Sequence, residues 1–211
     1  MQSQKVFVLQ PDQMLLSLLC YQLTDAGFVV EGFQESQAVV DRIEAQAPAV
    51  LVSDVNFGSQ SAHVLANIFE LANFYGIVLA SQVPSPKLLG LEGKLGTKAV
   101  AYINLQLPDS LEGLQKAIRA TLGRQPIGRF RDDRKEDHAL SPLSRSQLEI
   151  TRLIANGFSN QAIAEHRGTT IRAVENLIKR TFQQLGLDPS LKNQSARVML
   201  ARLYWQTVGG L

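Results

Sequence analysis

Apolar and polar residues follow two rhythms along this chain. In the first part, short apolar runs alternate with stretches of helical spacing. Val6, Phe7, Val8 and Leu9 form one run, and residues 13–26 follow at helical spacing up to Gly27. The pairing repeats at 29–33 with 36–46, at 50–53 with 61–73, and at 99–103 with 109–122, while 77–80 forms another run. Five apolar strands alternating with helices predict a parallel sheet covered on both faces, with function at the carboxyl ends of the strands. The fourth helix is weak on this pattern. Residues 87–96 read KLLGLEGKLG, and each glycine costs roughly 1 kcal/mol relative to alanine in a helix interior. A short, mobile or irregular segment is expected there.

From residue 143 onward the spacing is helical only. Ile150, Leu153 and Ile154 fall on one side of a first helix that stops at Asn156-Gly157, where a chain can leave through a left-handed turn. Ser159 caps a short helix, 160–166, that buries Ile163 and Ala164, and the turn Arg167-Gly168-Thr169 leads to a second cap, Thr170. In the next helix, 171–185, Val174, Ile178, Thr181 and Leu185 form an inward stripe, leaving Arg172, Glu175, Asn176, Lys179 and Arg180 outward. The spacing predicts a compact helix-turn-helix. A last helix, 194–206, carries Val198, Met199, Leu200, Leu203, Tyr204 and Trp205, some expected in the core and Tyr204 or Trp205 at an interface.

The outward face has the chemistry of a groove reader. Lys and Arg neutralise phosphates and release counterions, Asn can pair bidentately with adenine, and Glu can accept from cytosine. Ser159, Asn160 and Thr170 stand where two helices begin and can contact phosphates that set register. A three-helix bundle with a merely solvated charged face is the plainer alternative.

Charge distribution favours the first reading. Residues 1–123 hold 7 Lys/Arg against 11 Asp/Glu, whereas 141–211 hold 9 against 4, so the basic part is the C-terminal one although the formal net charge is only +2. The 211 residues suit two globular domains. Between them, residues 124–142 mix charges of both signs with Gly and Pro and lack apolar periodicity, which marks a linker. The first apolar run of the opening helix is too short to span a bilayer, so a cytoplasmic protein with no membrane contact is expected. Cys20 is the only cysteine and the three histidines are scattered, which offers no disulfide and no metal-ligand spacing.

The C-terminal stretch resembles the DNA-binding domain of the LuxR/NarL family of bacterial transcription regulators. The likeness rests on Leu143-Ser144, Glu149, the run from Leu153-Ile154-Ala155-Asn156-Gly157 through Ser159-Asn160 to Ile163-Ala164, then Ala173-Val174 and Gln184-Leu185. Two positions depart from the family pattern: Glu175 stands where a Lys is usual, and Gln147 at the first acidic position of the opening helix. Base preference is expected to differ accordingly.

Roughly residues 4–123 resemble the receiver domain of two-component response regulators. In that family an Asp after the third strand accepts a phosphoryl group. An acidic pair after the first strand holds Mg2+, a Lys after the fifth contacts the phosphoryl group, and a Ser/Thr with an aromatic relays the change. Asp54 matches the acceptor, Ser81 the hydroxyl and Tyr102 the aromatic, but Gln10 and Pro11 occupy the acidic pair and Leu105 replaces the Lys. Phosphoryl transfer relies on positioning and charge neutralisation, and an amide, a proline and a leucine supply no charge for it.

The two resemblances together imply an α/β fold, a doubly wound five-stranded parallel sheet of flavodoxin-like receiver type over 1–123. A linker over 124–142 and an all-α LuxR-type helix-turn-helix DNA-binding domain over 143–211 complete the chain. The implied function is a DNA-binding transcription regulator, not an enzyme, whose receiver works without phosphorylation as a dimerisation or partner- or ligand-sensing module. A phosphorylation-activated regulator using Asp54, or an antagonist pairing with other regulators, stays open. Double-stranded DNA and a second copy are the implied partners, with a histidine kinase or another regulatory protein beside them; no cofactor or metal is expected. The opening helix, with Met14, Leu15, Leu18, Leu19 and Leu23, has more apolar surface than one core-facing stripe requires.

Overall fold

A computed structural model describes residues 5–45, 50–57, 64, 68, 76–90, 99–123, 138–187 and 195–209. The chain forms two compact units, one comprising residues 1–86 and 91–134, the other 87–90 and 135–211.

The first unit is built on five strands, β1 (Lys5–Leu9), β2 (Val29–Phe33), β3 (Val50–Ser53), β4 (Gly76–Ser81) and β5 (Ala99–Asn104). They pair in parallel in the order β2-β1-β3-β4-β5, the doubly wound sheet that the alternating pattern predicts. Val6 to Leu9 of β1 and Val50 to Val52 of β3 are buried because both faces of these central strands are covered. Helices α1 (Gln13–Asp25) and α3 (Ser110–Leu122) bury Leu16, Leu19 and Leu23, and Leu114, Ala117 and Ile118, against Val6, Val8, Val50, Val52 and Val78. Helix α2 (Ser36–Ala45) buries Val39 and Ile43. Cys20 is half-buried and packs against the same core as α1, where burial raises its thiol pKa, in keeping with a packing role.

Of the stretch 61–73, Val64 and Ile68 are described, both helical and buried; the rest lies outside the described residues. The weak fourth helix is a short 3-10 turn, Pro86–Leu89, followed by Gly90 at φ 68°; residues 91–98 lie outside the described residues. So do 124–137, most of the expected linker.

The second unit packs α4 (Arg145–Ala155), α5 (Asn160–His166), α6 (Ile171–Gln184) and α7 (Ala196–Val208) around Ile150, Leu153, Ile154, Ile163, Val174, Phe182 and Leu200. Local chemistry sets the helix boundaries. Ser144 and Gln147 form a reciprocal capping box that closes the start of α4. Asn156 ends that helix, and Gly157, at φ 83°, supplies the left-handed residue that turns the chain into α5. The inward stripe of α6 holds Val174 and Thr181 fully buried and Ile178 and Leu185 half-buried. Phe182, 1% exposed, is the larger core residue that the four-position stripe omits. Arg167, half-buried, donates through Nη1 to Glu149 Oε2 and ties α4 to the end of α5. Tyr204 is turned inward at 2% exposure, and Trp205 donates from Nε1 to the Ala155 carbonyl at 3.2 Å. Both side chains serve the fold of this unit, and Val198 is the exposed apolar residue of α7.

Candidate functional site

In the second unit, α6 presents a polar face. Its amphipathic sequence buries Val174, Thr181 and Phe182 and so turns Arg172, Glu175, Asn176, Lys179 and Arg180 to the surface, all of them exposed. Residues 172, 175, 176 and 179 fall at steps of three, one and three, on one side of the helix, with Arg180 one turn beyond Asn176. Three cations against one carboxylate make this face electropositive, and it is long enough to lie along a major groove. Thr170 precedes it, exposed, its Oγ1 accepting from Ala173 N at 3.2 Å. Ser159 does the same for α5, its Oγ accepting from Ala162 N at 3.1 Å. Each hydroxyl thereby uses acceptor capacity on a cap and keeps its hydrogen to donate.

Asn160 differs from the other positions of the predicted set. It is half-buried, and its Oδ1 accepts from Arg197 Nη1 of α7 at 2.5 Å. Arg197 stands outside that predicted set because the last helix reads as an apolar element. The signal was a lone cation at position 197 in a helix otherwise apolar on that turn.

In the first unit, the ladder hydrogen bonds run past the strand ends and gather the predicted switch residues. Gln10 N donates to Phe33 O, and Asp54 N to Leu9 O, both at 2.9 Å, while Leu105 N donates to Ser81 O at 2.8 Å. Asp54, 7% exposed, follows β3, and both oxygens of its carboxylate accept hydrogen bonds. Oδ2 accepts from Gln10 Nε2 at 2.7 Å, and Oδ1 accepts from Val55 N at 2.5 Å, from Asn56 N at 3.0 Å and from the Ser81 hydroxyl. Ser81 Oγ in turn accepts from Val83 N at 3.3 Å, and the Tyr102 hydroxyl donates to Val83 O at 2.5 Å. Asp54, Ser81 and Tyr102 therefore stand in one hydrogen-bonded chain across β3, β4 and β5.

Gln10 is 2% exposed and holds the end of β1 against this carboxylate, its Oε1 accepting from Asp12 N at 3.0 Å. Asp12 caps α1, its Oδ1 accepting from Leu15 N at 2.7 Å. The residues present do not fit Mg2+. The ion needs near-octahedral oxygen ligands, whereas Gln10 offers an N–H to Asp54, Pro11 has no side-chain ligand atom and its carbonyl accepts from Gln34, and Asp12 is committed to its helix. Among the described residues, no three His, Cys, Asp or Glu side chains gather at one point, and no Lys or Arg pairs with Asp54.

No helix among the described residues is long and apolar enough to cross a membrane. No family model matches the sequence, and no curated protein matches it. Solved structures do match. RcsB from Salmonella enterica serovar Typhimurium, bound to promoter P1flhDC in the presence of phosphomimetic BeF3-, is 18% identical over 97% of this chain and 100% of its own, at a TM-score of 0.56. A structure of two RcsB dimers bound to two parallel DNAs is 19% identical over 98% and 100%, also at 0.56. RcsB from the same organism on promoter rprA gives 18%, 95% and 98%, at 0.54. This chain is similar in fold to the response regulator RcsB along nearly its whole length, a five-stranded parallel sheet flanked by helices followed in sequence by a helical unit.

Proposed function

We propose that the chain is a DNA-binding transcription regulator that acts as a homodimer, and that its receiver unit works without phosphorylation. The exposed cationic face of α6, built on a buried apolar stripe, carries the DNA reading. RcsB, which shares the fold, is a DNA binder by its own structures. Arg172, Lys179 and Arg180 neutralise backbone charge, Ser159, Asn160 and Thr170 donate to phosphates, and Asn176 and Glu175 face base edges.

The bonded state of Asp54 supports independence from phosphate. Attack on a phosphoryl donor needs a free carboxylate oxygen and cations to neutralise about two added charges. Here both oxygens are taken by internal donors and the neighbouring groups are an amide, a proline and a leucine. Ser81 is held by a hydrogen bond to Asp54 that a phosphoryl group would have to displace. Helix α1 supports a second copy: Met14, Leu18 and Tyr21, at steps of four and three, are 82%, 52% and 69% exposed on one side of a helix whose other side is core. Two-fold symmetric DNA sites require paired readers.

The test is duplex DNA binding by the full chain, with and without Mg2+ and beryllofluoride, and with Asp54→Asn. Equal, salt-sensitive affinity in every condition is the expected result. Tightening by beryllofluoride that Asp54→Asn abolishes would restore the phosphate switch, and absence of DNA binding by the intact chain would remove the regulator reading in favour of an antagonist.

A further inference from the structure

Arg197 lies on α7, yet its guanidinium reaches the segment that opens α5. Nη1 donates to Asn160 Oδ1 at 2.5 Å, and Nη2 donates to the Phe158 carbonyl. The side chain is half-buried, and among the described residues no carboxylate pairs with it. Burial lowers its pKa, but an arginine with no basic competitor remains protonated at neutral pH. A half-buried cation without an anion is best placed with its inward donors satisfied, and charge-assisted hydrogen bonds orient the two oxygens that it binds.

The consequence falls on the Asn160 amide. An amide has one accepting end and one donating end, and only the full pair reads adenine bidentately. Guanidinium is a donor only, so it takes the oxygen and leaves Asn160 the NH2 end alone. Asn176 on α6 is exposed and has no such partner among the described residues. The two asparagines of the candidate interface are thereby divided in role.

We propose that Arg197 is a positioning residue that fixes the Asn160 amide with its oxygen inward, committing Asn160 to donate to a DNA backbone phosphate and leaving Asn176 as the asparagine able to read adenine. The assignment rests on the DNA-binding function proposed above. It places a determinant of DNA binding on the last helix, where no DNA-facing residue is otherwise expected.

Two measurements on the full chain test it, one of them without DNA. In the free protein, hydrogen–deuterium exchange of the amides at 160–163 is expected to rise about tenfold in Arg197→Gln, the size of one charge-assisted hydrogen bond, while the amides of α6 stay unchanged. In Arg197→Lys, which keeps the positive charge, the rise is smaller. On duplex DNA, Arg197→Gln and Asn160→Ala should each weaken binding about five- to tenfold, and the double variant should be no weaker than Asn160→Ala alone. Additive losses would show Arg197 acting on DNA by itself and would overturn the proposal, as would unchanged exchange at 160–163. If the unsubstituted chain fails to bind DNA, the regulator reading falls, and the pairing of Arg197 with Asn160 is still decided by exchange.

Discussion

Removing two charges from the outward face of α6 is the sharpest test of the groove assignment. Lys179 and Arg180 are exposed, and among the described residues neither is in an ion pair, so Lys179→Ala with Arg180→Ala disrupts no pairing within the folded unit. Alanine is also the best helix former. The melting temperature should therefore stay within about 2 °C, the range for surface changes of up to about 0.5 kcal/mol. On DNA the expectation is large. Each phosphate that is no longer neutralised lowers the slope of log K against log salt by about 0.9, so two of them lower it by about 1.8 per copy. Taken from a molar reference down to physiological ionic strength, that slope amounts to roughly 30-fold in affinity per copy, about 2 kcal/mol. The assay is fluorescence anisotropy of a labelled random-sequence duplex from about 50 to about 200 mM salt, since the electrostatic part needs no operator. Between those limits the deficit should shrink about tenfold. Parallel lines for the variant and the unsubstituted chain would refute the reasoning, because they would mean that these cations never meet phosphates.

The other predictions concern the pocket, the pairing face and the core. Gln10→Ala removes the donor to Asp54 Oδ2 and leaves a buried carboxylate oxygen short of a partner, which should cost about 2 kcal/mol in chemical denaturation; no loss would show that the oxygen finds water instead. Gln10→Glu should cost more at neutral pH, by setting a second carboxylate against the first, and recover as pH is lowered. Leu18→Glu on the exposed side of α1 should convert a dimer to a monomer in sedimentation velocity without changing the melting temperature; an unchanged sedimentation coefficient would remove α1 from the interface. Tyr204 has its pKa pushed up to about 12 by burial, from 10.0. Its folded form thus holds the proton more tightly, and its contribution is intact below pH 10 and lost as pH rises toward 12. On the order of 2–3 kcal/mol of stability of the second unit should disappear across that window, and Tyr204→Phe should flatten the loss.

Periodicity carried the elements whose two faces differ. The alternation of apolar runs and helices placed all five strands to within one residue at each end, and the cap residues Ser159 and Thr170 marked two helix starts because their hydroxyls are committed to backbone N–H groups. The last helix is less legible. Tyr204 and Trp205 suit an interface by type, but burial depends on which neighbours arrive from distant sequence, and Trp205 finds the Ala155 carbonyl fifty residues away. Arg197 stands out in sequence as a cation on an apolar turn, but what it binds does not, because its partners Phe158 and Asn160 lie on another part of the chain. Gln10 reads in sequence as a missing charge. That the amide takes up a bond of its own is hidden there, because a donor and an acceptor 44 positions apart meet only once the sheet order is known.

That bond changes how the loss of the acidic pair is to be understood. Deleting the charges around a phosphoacceptor would ordinarily leave a bare, buried carboxylate, an unfavourable arrangement that favours replacing the Asp as well. Here Asp54 persists with four donors around it, and through Ser81 and Val83 the same carboxylate is joined to Tyr102 on β5. Hydrogen bonds thus connect the end of β3 to β5 by way of Val83, and Gln10 adds its own donor at the Asp54 end. On the phosphate-independent function proposed above, such a connection has a use only if something else is held by it. In this chain the candidates are the pairing of α1 with a second copy and the standing presentation of α6 to DNA, and Gln10→Ala separates them: a variant that still dimerises but binds DNA less tightly would assign the connection to α6, whereas one that falls to monomers would assign it to α1.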